Sequence, residues 1–164
     1  MSIRSRVATL ERRTMANTYT SLHYHLIFST KNREHWIRPD IEQRIWEYLG
    51  GIARLNGMKA LQIGGVEDHV HLVLAVPATL ALSKGVQLLK GASSKWIHET
   101  FPDLSSFQWQ DGYGAFTVSK SNLPEVVDYA AHQREHHQHQ TFQDEYRTWL
   151  QKHGIEYDEH YVWG

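Results

Sequence analysis

Asp68-His69-Val70-His71-Leu72-Val73-Leu74-Ala75-Val76 is the stretch that decides how this chain folds. A strand sends alternate side chains to opposite faces, so Val70, Leu72, Leu74 and Val76 form one apolar row. His69 and His71 then share the other face, ~7 Å apart along the strand. Two neutral imidazoles so placed can hold a divalent metal if a third ligand arrives from another element. The stretch therefore needs a layer over its apolar row, and it invites a ligand and a reactive group beside its histidines.

Residues 58–66, just upstream, read as a second strand that makes a hairpin with it, and Gly64-Gly65 marks a bulge or tight turn. Residues 18–30 alternate as a first strand, with Leu22, Tyr24, Leu26 and Phe28 on one face and His23, His25 and Ile27 on the other. Between these strands Pro39 and Asp40 open a helix with Ile41, Ile45, Tyr48, Leu49 and Ile52 at helical spacing, and Asn56-Gly57 closes it. A second helix covers about residues 82–99, and residues 107–118 read as a fourth strand interrupted by Gly112 and Gly114. Strand, helix, strand, strand, helix, strand is the split βαβ order of a ferredoxin-like α+β domain. Such a domain has a four-stranded antiparallel sheet with both helices on one face. The apolar row faces those helices, so His69 and His71 are expected on the opposite, uncovered face.

Two further helices follow. One starts at Ser121-Asn122-Leu123-Pro124-Glu125, with Asn122 as the expected N-cap and Glu125 at capping-box spacing, and is read as running through His137. The other spans residues 142–153, carries Phe142, Tyr146, Trp149 and Leu150 on one side, and stops at Gly154. Residues 18–164 are thus read as a single domain including this helical tail. Residues 1–17, with Arg4, Arg6, Arg12 and Arg13, are expected to be a disordered basic arm.

Composition narrows the function classes. The 164 residues suffice for one core, and 41% hydrophobic with 21% charged residues fits a soluble globular chain. No apolar run approaches the ~20 residues of a membrane span, and no signal-peptide pattern is present, so the expected location is cytoplasmic and no membrane partner is expected. The absence of cysteine excludes disulfides, thiolate metal sites and a cysteine nucleophile. With a net charge of −1, any site for a polyanion must be a local patch.

The helix that follows the fourth strand carries Tyr129 and Gln133, four residues apart and therefore on one face. Val126, Val127, Ala130 and Ala131 give it a small apolar side. If it packs beside the histidines, Gln133 can offer its amide oxygen to a metal held by His69 and His71. A histidine–histidine–carbonyl set with open positions suits Mg2+ or Mn2+ better than a closed zinc site. Tyr129 then stands within reach of a phosphate at the metal, and an activated tyrosine oxygen can form a covalent intermediate.

These residues resemble the HUH-type single-tyrosine transposases of the insertion-sequence 200/605 family. The similarity rests on Asp68-His69-Val70-His71-Leu72 and on Tyr129-Ala130-Ala131-His132-Gln133-Arg134-Glu135-His136-His137. The texts Tyr24-His25-Leu26-Ile27-Phe28-Ser29-Thr30-Lys31 and Thr141-Phe142-Gln143-Asp144-Glu145-Tyr146 add to it. The resemblance implies a divalent cation, Mg2+ or Mn2+, on His69, His71 and Gln133, and Tyr129 as the nucleophile on single-stranded DNA. It implies a 5′-phosphotyrosine adduct and a free 3′-hydroxyl that can later rejoin strands. It also implies recognition of hairpins at element ends by a homodimer whose subunits can share active sites.

Lys31, Arg33, Lys90 and Lys120 are the candidate DNA contacts, each also readable as an ordinary surface charge. Trp36, Trp109 and Tyr113 can stack on unpaired bases or complete the core. Two other readings compete with the transposase. One is a domesticated nuclease that keeps the cleavage chemistry. The other is a non-catalytic nucleic-acid module that uses the open sheet face as its platform. Histidines in place of aromatic residues on the central strands favour metal chemistry.

Overall fold

The computed structural model of the chain describes residues 18–164, so the arm expected over residues 1–17 lies outside the described residues. The sheet comprises β1 (His23–Ser29), β2 (Lys59–Val66), β3 (His69–Ala75) and β4 (Gly114–Thr117). It is antiparallel throughout in the order β2-β3-β1-β4, which makes β3 and β1 the central strands, as the split βαβ order requires. Helices α1 (Glu42–Leu55) and α2 (Leu82–Thr100) cover one face.

Val70, Leu72 and Leu74 are fully buried against those helices, together with Leu26 and Phe28 from β1. Full burial of each such side chain stabilises the fold by roughly 1.5–3 kcal/mol. α1 contributes Ile45, Leu49, Ile52 and Ala53 to this core, and α2 contributes Val86, Leu89 and Ile97. α1 ends where Gly57 takes a positive φ of 77°.

The second face is not open, which corrects the expectation from sequence. Three further helices lie on it: α3 (Leu123–Ala131), the single turn α4 (Gln133–His136) and α5 (Phe142–Lys152). Ile27, Phe116, Phe142, Tyr146 and Leu150 form one core there, and Val73, Leu123 and Ala130 form another. His25, His69 and His71 are consequently fully buried. The platform that a base-stacking module would need is occupied by these helices.

Other boundaries differ for local reasons. β1 is shorter than residues 18–30, because residues 18–22 are exposed and leave the sheet. The fourth strand shrinks to four residues. The segment before it follows its own path, with Phe107 and Trp109 plugging the core and one bridge joining Thr30 to Trp109. Asn122 does not cap α3: it is already helical and ends a 3-10 turn. The tyrosine helix does not run on to His137, since His132 (φ −112°, ψ 36°) breaks it after Ala131. A side-chain cap forms instead at Thr141, whose hydroxyl accepts from the Asp144 amide at 3.2 Å and starts α5.

Gly64 shows how tightly α3 is seated. A Cβ at this position would lie 2.1 Å from the Ala130 carbonyl oxygen. Only glycine permits that approach of strand and helix. Gly64→Ala is expected to push α3 off the sheet and to lower stability by about 2 kcal/mol, a fall in Tm of roughly 4–8 °C by thermal unfolding. An unchanged Tm would mean that α3 does not sit against β2.

Candidate active site

Register brings the polar residues together. Ile27 pairs with His71, Ser29 with His69 and His25 with Val73, so His25, His69 and His71 share the second face. His69 Nδ1–H donates to Asp68 Oδ1 at 2.7 Å. That bond fixes the ring and leaves Nε2 pointing inward, the orientation a metal-ligating histidine receives from a carboxylate partner. His71 is held from behind by His25, whose Nε2 lies 2.7 Å from His71 Nδ1. For His71 Nε2 to act as a ligand its proton must sit on Nδ1, where His25 Nε2 can accept it.

The short turn α4 brings Gln133 to the same cluster. Gln133 is 1% exposed, and its Nε2–H donates to the Tyr129 carbonyl at 3.0 Å. This leaves Oε1 directed at His69 Nε2 and His137 Nε2, each 3.2 Å away. The i, i+4 spacing of Tyr129 and Gln133 survives the helix break, because the amide spans it.

Glu145, on α5, is the residue that sequence reasoning missed. Its carboxylate lies between the histidines and the tyrosine. Oε1 is 2.9 Å from His71 Nε2 and 3.5 Å from His69 Nε2. Oε2 accepts the Tyr129 hydroxyl and lies 3.2 Å from His137 Nε2. A signal was present: Glu145 falls within the apolar stripe Phe142, Tyr146, Trp149 and Leu150, where a carboxylate needs partners to be buried.

The electrostatics follow from this packing. Burial alone would raise the Glu145 carboxyl, but His71, His137 and His69 hold it well below the usual carboxylate range. Burial works against a charged His69, yet its hydrogen bonds to Asp68 and Glu145 lift it to about 9. Burial pushes His71 down despite Glu145. Burial and the neighbouring Glu145 charge raise the Tyr129 phenol above its ordinary value.

The donor set fits a divalent cation. One ligand atom each from His69, His71 and Glu145 lie within 4.8 Å of one another, and all three residues are buried. Two imidazole nitrogens and a carboxylate, with an amide oxygen alongside and no thiolate, are ligand types that divalent cations take.

The lysines and arginine singled out for DNA do not converge here. Lys90 is turned inward: its ammonium donates to the carbonyls of Gln110 (2.8 Å) and Gly112 (2.5 Å) and lies over Phe28, and burial lowers it to about 8. It ties α2 to the segment before β4. Lys120 lines a surface cleft with His23, Ala75 and Pro77, at the end of β1 and β3 away from His69. Lys31 is exposed in the turn after β1, and the Arg33 guanidinium lies 5.6 Å over Trp163. Trp109 is buried with its indole N–H donating to Ser93 Oγ at 2.9 Å, so it belongs to the core.

This fold and site define a transposase. The family model described as "Transposase IS200 like" matches residues 18–133, and the chain belongs to that family, which serves DNA transposition. The transposase for insertion sequence element IS200 of Salmonella typhimurium is 28% identical over 130 residues, covering 76% of this chain and 85% of the relative. The ISDra2 transposase TnpA of Deinococcus radiodurans is 29% identical over 119 residues, covering 70% of this chain and 85% of the relative. A crystal structure of a candidate transposase from Deinococcus radiodurans R1 superposes with a TM-score of 0.60 at 27% identity, covering 71% of this chain and 94% of that one. A REP-associated tyrosine transposase solved with a REP hairpin shares the fold at a TM-score of 0.51 and 14% identity, covering 71% and 70%. No helix among the described residues is long and apolar enough to cross a membrane.

Proposed function

We propose that the chain cleaves and rejoins single-stranded DNA through a 5′-phosphotyrosine on Tyr129. His69, His71 and Gln133 hold the divalent cation, Mg2+ or Mn2+, and Glu145 completes the donor set. The observation that carries this reading is the Glu145 carboxylate, which touches Tyr129 Oη with one oxygen and His71 Nε2 with the other. The half-buried Tyr129 thus adjoins the buried His69, His71, Gln133 and Glu145 in one cluster.

In this reading Tyr129 Oη gives up its proton as it attacks the scissile phosphorus, the bond to the 3′-oxygen breaks, that oxygen takes up a proton and leaves as the 3′-hydroxyl, and the 5′-phosphate stays on the tyrosine. The cation, when bound, draws charge from the phosphate and stabilises the leaving oxygen. Glu145 Oε2 orients the phenol and accepts its hydrogen bond. Burial and the Glu145 charge hold the phenol above its ordinary value. Attack of the 3′-hydroxyl on the adduct reverses the step and joins strands, without an external energy source.

The substrate is single-stranded DNA with hairpins at element ends, in the cytoplasm of a bacterium. A homodimer whose subunits can share active sites is the assembly the family resemblance implies. The test is incubation with single-stranded and duplex oligonucleotides from the DNA flanking the gene, with Mg2+, Mn2+ or a chelator. A protein–DNA adduct that survives denaturation is expected with the single strand and either metal. Equal cleavage of duplex DNA, or cleavage with no adduct, would overturn the reading.

A further inference from the structure

We infer that the cavity between α3, β4 and α5 receives one unpaired nucleobase next to the scissile phosphate. The inference rests on the proposed reaction, because it takes the phosphate to be at Tyr129. The cavity holds about 390 Å³, and Tyr129 forms part of its wall. That volume is within the range of small-ligand sites, ~300–1,000 Å³. A strand whose phosphate reaches Tyr129 Oη must place its adjoining nucleotides within one nucleotide's length of this opening.

The lining is suited to a flat base joined to an anionic backbone. Trp149 is half-buried, with its ring 5.4 Å from that of Tyr129 and 5.7 Å from that of the buried Phe116. Lys152 places its ammonium 5.0 Å over the same indole, where it can meet a phosphate adjoining a stacked base. Asn122 and Glu125 stand on the α3 side and offer an amide and a carboxylate to the polar edge of a base. Aromatic wall, cationic rim and hydrogen-bonding edge together are the features that unpaired bases require. None of these residues takes part in holding the cation.

The site makes Trp149 a stacking residue for the nucleotide beside the cut. The experiment measures binding by fluorescence anisotropy, in a Tyr129→Phe chain, to single-stranded oligonucleotides with one abasic position walked along them. The cleavage position is mapped separately with the unmutated protein. About tenfold weaker binding is expected for an abasic nucleotide immediately beside the cleaved phosphate, and little change elsewhere. Trp149→Ala should weaken binding of the intact strand by a similar factor and add no further loss with that abasic oligonucleotide. Trp149→Phe, which keeps an aromatic face, should stay within about threefold of the parent. A flat abasic profile in the Tyr129→Phe chain that retains Trp149 overturns the inference, and so do losses that multiply when Trp149→Ala meets the abasic strand. Failure of the phosphotyrosine chemistry would show instead as missing cleavage by the unmutated protein.

Discussion

Tyr129→Phe is expected to abolish the covalent protein–DNA adduct and to lower cleavage by on the order of 10⁴-fold or more, while single-stranded DNA binding stays within about twofold. The substitution removes one oxygen. The ring keeps its stacking on His136, whose centroid is 4.4 Å away, and α3 keeps its seat on Gly64. Glu145 Oε2 loses the hydroxyl but retains His137 at 3.2 Å. The cation donors are untouched, so Mn2+ affinity measured by calorimetry should be unchanged. Denaturing gels report the adduct and filter binding reports the DNA affinity. A phenylalanine variant that still cleaves would mean that a water activated at the metal is the nucleophile.

His69→Ala is expected to weaken Mn2+ binding at least about 100-fold and to lose cleavage in parallel. Loss of a partner that merely orients a ligand costs ~10–100-fold in metal affinity, and His69 is a proposed ligand itself. Its removal also strips Asp68 of the donor it holds at 2.7 Å and takes one imidazole from Glu145. The variant should therefore also unfold at a lower temperature. Cleavage that returns at high Mn2+ would follow from weakened binding alone. Unaltered metal dependence in a folded His69→Ala chain would remove His69 from the ligand set.

The sheet order was legible because Val70, Leu72 and Leu74 form a row that only a covering layer can explain, and because two helical periods fall between the right strands. The second layer was misread for a reason visible in the same stretch. Val73 is apolar and stands on the histidine face, as do Ile27 on β1 and Phe116 on β4. A run that is apolar on both faces belongs to a strand buried on both sides. His69 and His71 are thus embedded beneath a second core, where their polar partners have to be protein groups.

The candidate site was partly legible for similar reasons. His69 and His71 are one strand period apart, and Tyr129 and Gln133 one helical turn apart, so local spacing fixes each pair. Glu145 reaches them from a helix that begins nine residues after Gln133, and nothing local specifies that approach. Its position in an apolar stripe was the available signal. Lys90 looked like a free charge because its partners are backbone carbonyls on a segment about twenty residues further on.

The proposed reaction joins Tyr129 covalently to DNA. Its most direct test is to trap the product formed with single-stranded DNA and Mg2+, digest protein and DNA, and sequence the modified peptide by mass spectrometry. A 5′-linked nucleotide phosphate on Tyr129 is expected. The same modification on Tyr146 or any other residue, or product strands with free 5′-phosphates and no modified peptide, would contradict it.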